Sequence, residues 1–138
     1  MEKDFYISTD QSLINMEVVF HFLHHDSYWA QGRSQETLER SISNSLCFSL
    51  FNWRNEQIGF ARVITDYAVF AWLLDVFVLN EYRGHGLGKK LISTIMEHPD
   101  LQQIRRWGLG TKDAHDLYKK YGFKPLTQPE NMMERLLY

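Results

Sequence analysis

The chain reads as a single α/β domain over residues 1–138, a mixed, mostly antiparallel sheet of about six to seven strands flanked by about four helices. Three observations carry this expectation. A length of 138 residues suits one hydrophobic core and not two. Short apolar runs bounded by turn residues are interleaved with segments whose apolar side chains recur at helical spacing, in the order β-α-α-β-β-β-α-β-α-β-β. Hydrophobic residues form 44% of the chain and charged residues 23%, the ordinary balance of a globular protein.

Taken in order, "FYI" (residues 5–7) predicts a short strand closed by "STDQS". Leu13, Met16, Val19, Phe20 and Leu23 then fall on one helical face. "HHDSYWAQGR" breaks that helix, and Ser34 is placed to cap the next one, along which Thr37, Leu38 and Ile42 lie. Residues 46–53, 58–65 and 69–79 predict three strands joined by turns at "RNEQ" and "DYA". After a glycine-rich loop, Leu87, Leu91, Ile92, Ile95 and Met96 share a helical face that ends at "HPD", where proline cannot continue the helix. "IRRWGLGT" predicts a strand and "DAHDLYKKY" a short helix capped by Gly122. "GFKPL" and "MMERLLY" predict two closing strands.

A formal net charge of −2 speaks against a general nucleic-acid binder, which is usually markedly basic. Cys47, the sole cysteine, rules out an intrachain disulfide and a cysteine-based zinc site, and its apolar setting reads as core. No apolar run is long enough to span a bilayer and "MEKDFYISTD" has no signal-peptide core, so a cytoplasmic location with no membrane partner is the expectation. His21, His24 and His25 share a helix face, but only Asp26 stands near as a further ligand, and no metal is expected.

The stretch "NEYRGHGLGKKL" (residues 80–91) poses the functional question, because alternate glycines let a backbone approach a ligand closely. A Walker A loop fails: Gly84 to Gly88 is one residue short and Lys90 stands where a metal-binding hydroxyl is needed. A dinucleotide fingerprint fails as well, since its third glycine position holds Lys89 and the loop follows several strands. The pattern R-x-x-G-x-G is met by Arg83, Gly86 and Gly88. A helix starting inside such a loop aims unpaired N–H groups and its positive dipole end at one point, which suits a pyrophosphate without a metal.

At these residues the chain resembles the GCN5-related N-acetyltransferase (GNAT) superfamily. "LLDVFVLNEYRGHGLGKKLI" looks like the family's central strand, loop and helix, and "DAHDLYKKYGF" is similar to its later helix and turn. "SYWAQGRSQETLERSISNSLCF" and "GFARVITDYAVFAWLLDVFV" resemble an HPA2-like subgroup. The resemblance implies acetyl-CoA as cosubstrate, held by Val76, Phe77, Val78, Arg83, Gly84, His85, Gly86, Leu87, Gly88 and Lys89. It implies that the Val78 N–H faces the developing oxyanion, and that the strand of Val78 splays from its neighbour at residues 107–110. Tyr118 matches the family's tyrosine beside the coenzyme sulfur, with Tyr121 as its structural-looking neighbour.

Acyl transfer to an amine needs a neutral amine, an oxyanion donor and a proton for the thiolate. Where many relatives carry a glutamate this chain has Leu74, which leaves Asp75 as the acidic candidate, acting through a water or on an ammonium group. The alternative for Asp75 is a buried carboxylate that anchors a turn. Tyr28, Trp29, Arg33, Asp66, Tyr67 and Trp72 are expected to line the acceptor cleft. Their aromatic and acidic character suits a cationic amine, and Arg33 equally suits a carboxylate. The expectation is an N-acetyltransferase acting on a primary amine, of a small molecule before a protein, by direct attack in a ternary complex. A protein lysine or N-terminal acetyltransferase and a non-catalytic acyl-CoA-binding module are the rivals, and a homodimer is left open.

Overall fold

Three long strands in the middle of the chain lie side by side, and the rest of the fold is built on them. The computed structural model describes residues 4–27 and 32–137. Strands β2 (Leu46–Phe51), β3 (Gln57–Thr65) and β4 (Phe70–Val78) form an antiparallel meander, and β1 (Tyr6–Ser8) adds to its β2 edge. Beyond the meander, β5 (Arg106–Leu109) pairs parallel with β4, giving the order β1-β2-β3-β4-β5. Parallel pairing requires a long crossover, and helix α3 (Leu87–Met96) lies within it.

Each face of the sheet has its own core, so the chain carries two where its length suggested one, because the sheet separates the buried residues of a single domain into two layers. On one, Val19, Phe22, Leu23, Leu38 and Ile42 pack with Cys47, Phe60 and Phe77. They come from α1 (Met16–His21), the π-helical turn Phe22–Asp26 that prolongs it, and α2 (Gln35–Ser43). The rings of Phe22 and Phe77 stack 4.1 Å apart. On the other face, Leu87, Leu91, Ile92 and Ile95 of α3 and Tyr118 of α4 (His115–Lys119) meet Phe48, Ala61, Val63, Ala71, Leu73 and Val78. Burying one such aliphatic side chain is worth about 1.5–3 kcal/mol. The Cys47 thiol is buried, and desolvation pushes its pKa up to about 12.

Local chemistry places the element ends. Ser34 Oγ accepts from the Thr37 N–H at 3.1 Å, as expected of a cap for α2. Asn15 Oδ1 accepts from the N–H groups of Glu17 and Val18 and so starts α1 later than apolar spacing alone suggests. Leu13 consequently sits in a separate turn and is 48% exposed.

The sheet has five strands among the described residues, fewer than expected, because neither "GFKPL" nor "MMERLLY" forms one. Pro125 has no N–H for a ladder, and Pro129 opens a short 3-10 turn before the last run. Met133, Leu136 and Leu137 are 95%, 70% and 94% exposed, so their apolar character does not correspond to burial.

At Gly108 the backbone lies against Trp72, and a Cβ there would fall well inside contact with ring atoms Cζ3 and Cε3. At Gly110 a Cβ meets nothing within 4 Å. Gly108→Ala is therefore expected to cost about 1–3 kcal/mol, and Gly110→Ala less than about 0.5 kcal/mol. Urea unfolding of the two variants checks this, and equal midpoints would show that Trp72 swings aside freely.

Candidate active site

The site begins with an irregularity in β4. Phe77 pairs with Phe60, but Leu74 pairs with Arg62, so β4 spends one residue more than β3 across this interval. That extra residue is accommodated around Asp75, which has φ +54°. The bulge changes the facing of the strand. Ala71 and Leu73 point to the α3 core before it, and Val76 and Val78 do so after it. Strict alternation would have sent Asp75 into that apolar core; the bulge turns it to the other face.

There Asp75 meets two arginines. Arg33 donates Nη1 to Oδ2 at 2.8 Å and Nη2 to Oδ1 at 3.2 Å, and Arg62 donates Nε to Oδ2 at 2.8 Å. Burial alone would raise the Asp75 pKa, but the Arg33 hydrogen bonds and the charges of Arg62 and Arg33 outweigh it and hold the carboxyl below the usual range. A carboxylate held in this way is a weak base, so the geometry favours the anchoring alternative over proton abstraction. Arg62, not singled out from the sequence, also donates Nη1 to Ser45 Oγ at 3.1 Å. A lone arginine inside the apolar run "GFARVIT" was the available signal.

Beyond the bulge, β4 runs without β5. The two strands pair from Phe70 and Arg106 to Leu73 and Leu109, after which β5 ends and β4 continues to Val78. The Leu79 N–H donates to Ile58 O at 2.8 Å, and Val78 lies opposite Gly59. Amide directions alternate along a strand, so the Val78 N–H points to the opposite edge, where β5 has left. By the same alternation Phe77 turns its N–H toward β3, and its ring lies against Phe22. Phe77 is thus not placed for the coenzyme contact expected of it.

At the end of β4, the loop enters α3 with Gly84 at φ +86° and Gly86, the N-cap, at φ +74°. No side chain caps this helix and its first turn holds no acidic residue. Its first N–H groups and positive dipole end therefore remain available for an anion. Leu87 is buried and anchors the helix, whereas His85 and Lys89 are exposed. Arg83 donates Nε to Val78 O at 3.2 Å, tying the loop to the strand end. Lys89 lies close enough to Lys120 to lower the latter's pKa through a hydrogen bond and its charge.

Tyr118 is fixed by the end of α4. The Phe123 N–H reaches Tyr118 O at 3.3 Å and the Gly122 N–H reaches Lys119 O at 3.2 Å, with Gly122 at φ +92°. This is a Schellman motif, and its usual apolar contact is present as an edge-on approach of Phe123 to Tyr118 at 5.9 Å. Tyr121 instead binds Ser93 Oγ at 2.8 Å and Lys89 O at 3.1 Å, bracing α4 against α3.

Arg33, Trp72, Asp75, Val76, Gly110 and Tyr118 are among the residues that line a cavity of about 450 Å³ where the strands separate, and Trp72, Gly110 and Tyr118 also border a second cavity of about 450 Å³ along β5; no residue of the glycine loop lines either. A larger space of about 640 Å³, between β5 and the C-terminal segment, contains none of the expected site residues. Tyr67, at φ +61° in the β3–β4 turn, is 50% exposed and does not line the cleft, and Asp66 spends its carboxylate on the N–H groups of that turn. Tyr28 and Trp29 lie outside the described residues. The His21 and His25 rings lie 4.8 Å apart, and no group of three side chains fit to hold a metal occurs among the described residues.

Removing the Asp75 charge leaves the buried Arg62 without its counter-ion. Asp75→Asn is expected to cost about 3 kcal/mol at pH 7. Because the folded pKa is depressed, this stabilisation is complete above the unfolded carboxyl pKa of about 3.9 and is lost as pH falls through the folded value. Unfolding curves of both proteins at pH 7 and in acid should therefore converge in acid. A constant gap would mean that the carboxylate charge is not what stabilises the cluster.

The chain matches the model of the acetyltransferase (GNAT) domain family over residues 44–125. A candidate GNAT-family acetyltransferase of Xanthomonas campestris pv. campestris has the same fold at TM-score 0.94 and 46% identity, over 97% of this chain and 94% of that one. A candidate acetyltransferase of Gibberella zeae is 28% identical over 94% of this chain and 84% of its own length. An uncharacterized N-acetyltransferase of Gracilaria tenuistipitata var. liui is 30% identical over 77% of this chain and 60% of its own length. With the strand, loop and helix arrangement described above, these matches make the chain an N-acetyltransferase of the GNAT family.

Proposed function

We propose that the protein transfers the acetyl group of acetyl-CoA to the primary amine of a small molecule, by direct attack in a ternary complex. The observation that supports this reading is the parting of β4 from β5 after Leu73 and Leu109, beside a cavity lined by Val76 and Tyr118. The loop meets the requirement of a pyrophosphate: two glycines at positive φ, an uncapped helix end and basic residues at Arg83 and Lys89. Gly84, His85, Gly86, Leu87 and Gly88 would hold it through backbone N–H groups, with Lys89 and Lys120 offering charge to a further phosphate. A concave cavity of this size between strand and helix is of the scale that takes a small acceptor.

When bound, acetyl-CoA supplies an activated acyl carbon as a thioester. The Val78 N–H donates to the carbonyl oxygen as charge grows there. The neutral amine forms the new N–C bond as the C–S bond breaks, and the Tyr118 hydroxyl gives its proton to the departing thiolate. The amine passes its surplus proton to water, from which Tyr118 is reprotonated. Asp75 holds Arg33 in place and takes no proton.

Two experiments test this reading. Acetyl-CoA at about 100 times its dissociation constant should stabilise the native protein by roughly 2.7 kcal/mol, seen as a raised Tm, and ATP or NAD should not. Gly86→Val puts a β-branched residue at positive φ and should weaken acetyl-CoA binding by roughly tenfold or more, read by calorimetry on the folded variant. A larger shift with NAD would return the dinucleotide reading.

Tyr118→Phe keeps the ring against Phe123 and removes the hydroxyl. Loss of a general acid lowers rate by about 10²–10⁴-fold, so kcat should drop on that scale while acetyl-CoA affinity holds. Tyr121→Phe, which loosens a brace away from the slot, should change kcat far less. A normal kcat in the Tyr118 variant would assign that proton to water.

A further inference from the structure

Neutrality does not explain the charge around Asp75. Arg62 alone would balance the carboxylate: it is the inner partner, its side chain is 8% exposed, and its Nε–Oδ2 contact is 2.8 Å. Arg33 is a second guanidinium on the same group, 21% exposed where Asp75 is 1% exposed, and it lines the cavity that Tyr118 also lines. Two of its five N–H donors are spent on Asp75. Its backbone is pinned too. The Arg33 carbonyl can only accept, so His24 Nδ1, 3.0 Å away, carries the proton in that contact. The other charged residues of the cavity wall, Lys112 and Asp113, are adjacent, exposed and of opposite sign. With the Asp75 carboxylate shared between Arg33 and the buried Arg62 behind it, this cluster carries one positive charge in excess, presented to the cavity at a rigid planar group with unspent donors.

We propose that the acceptor bears a carboxylate besides its amine, and that Arg33 reads it, with Asp75 and Arg62 as the positioning residues behind it. This rests on the acetyltransferase reading above. A guanidinium is matched in shape to a carboxylate and is already oriented by Asp75, so little ordering is left to be done on binding. A diamine would meet the excess charge as repulsion.

The test is free-CoA release from acetyl-CoA with matched acceptors: β-alanine, propylamine, putrescine and O-phosphoethanolamine. β-Alanine should exceed propylamine in kcat/KM by roughly 10- to 100-fold. Arg33→Gln should erase most of that ratio through KM, and Arg33→Lys should restore part of it. Because a panel can miss the true acceptor, melting shifts are also measured with CoA plus N-acetyl-β-alanine or N-acetylpropylamine. The carboxylate product should give the larger shift in the native protein, and the difference should vanish in Arg33→Gln. Equal behaviour of the matched pairs, or preference for putrescine, overturns the proposal. Preference for O-phosphoethanolamine replaces carboxylate by phosphate and overturns it as stated. Absence of both CoA release and any acetyl-CoA melting shift would instead remove the acetyltransferase reading, and this inference with it.

Discussion

One extra residue in β4 governs how the two halves of the site meet. Without the bulge at Asp75, alternation would drive a carboxylate into the α3 core beside Ala71 and Leu73. The left-handed backbone there costs an L-residue roughly 1–2 kcal/mol. The contacts of Arg33 and Arg62, made where the carboxylate is almost wholly dry, offset it. Bulges also sharpen the local twist of a strand, and here the irregularity sits directly after the last residue of β4 that pairs with β5. The same irregularity therefore accompanies both the ion cluster on one face and the opening of the sheet.

The two cores divide the chemistry between them. The α3 and α4 side carries the glycine loop, the exposed helix N-terminus and Tyr118, all set by buried aliphatic residues and by the Schellman turn at Gly122. The α1 and α2 side carries Arg33, held from behind by Asp75 and from its own backbone by His24. The slot between the ends of β4 and β5 is where these layers face one another. A donor thioester entering from the loop and an amine entering from the Arg33 side would meet at the Val78 N–H.

Features governed by local chemistry were legible in the sequence. Ser34 as a cap, the helix from Leu87, and Gly122 as a terminator follow from side-chain and backbone rules that act within a few residues. Features governed by pairing were not. The bulge depends on register against β3, which alternation within β4 cannot reveal. The run "MMERLLY" has strand composition, but strand formation needs an edge to pair with, and Pro125 and Pro129 interrupt the approach to it. Asp75 was legible as an acidic candidate; its partners were not, because Arg33 and Arg62 are distant in sequence and only the fold brings them to it. Tyr67 failed for a related reason: a turn residue at positive φ is presented outward whatever its side chain suits.

The engagement of Asp75 also bears on how an amine becomes reactive without a carboxylate base. An acidic cleft would stabilise the ammonium form and raise the amine pKa, working against attack. Two guanidinium groups around a single carboxylate do the reverse, favouring the neutral amine by repelling its protonated form. On the proposed reading, one group then serves two ends. The Arg33 charge attracts the acceptor's carboxylate and, by pairing with it, removes the negative charge that would otherwise help hold a proton on the neighbouring amine. The pairing that selects the substrate would thereby supply part of what a general base would otherwise have to provide.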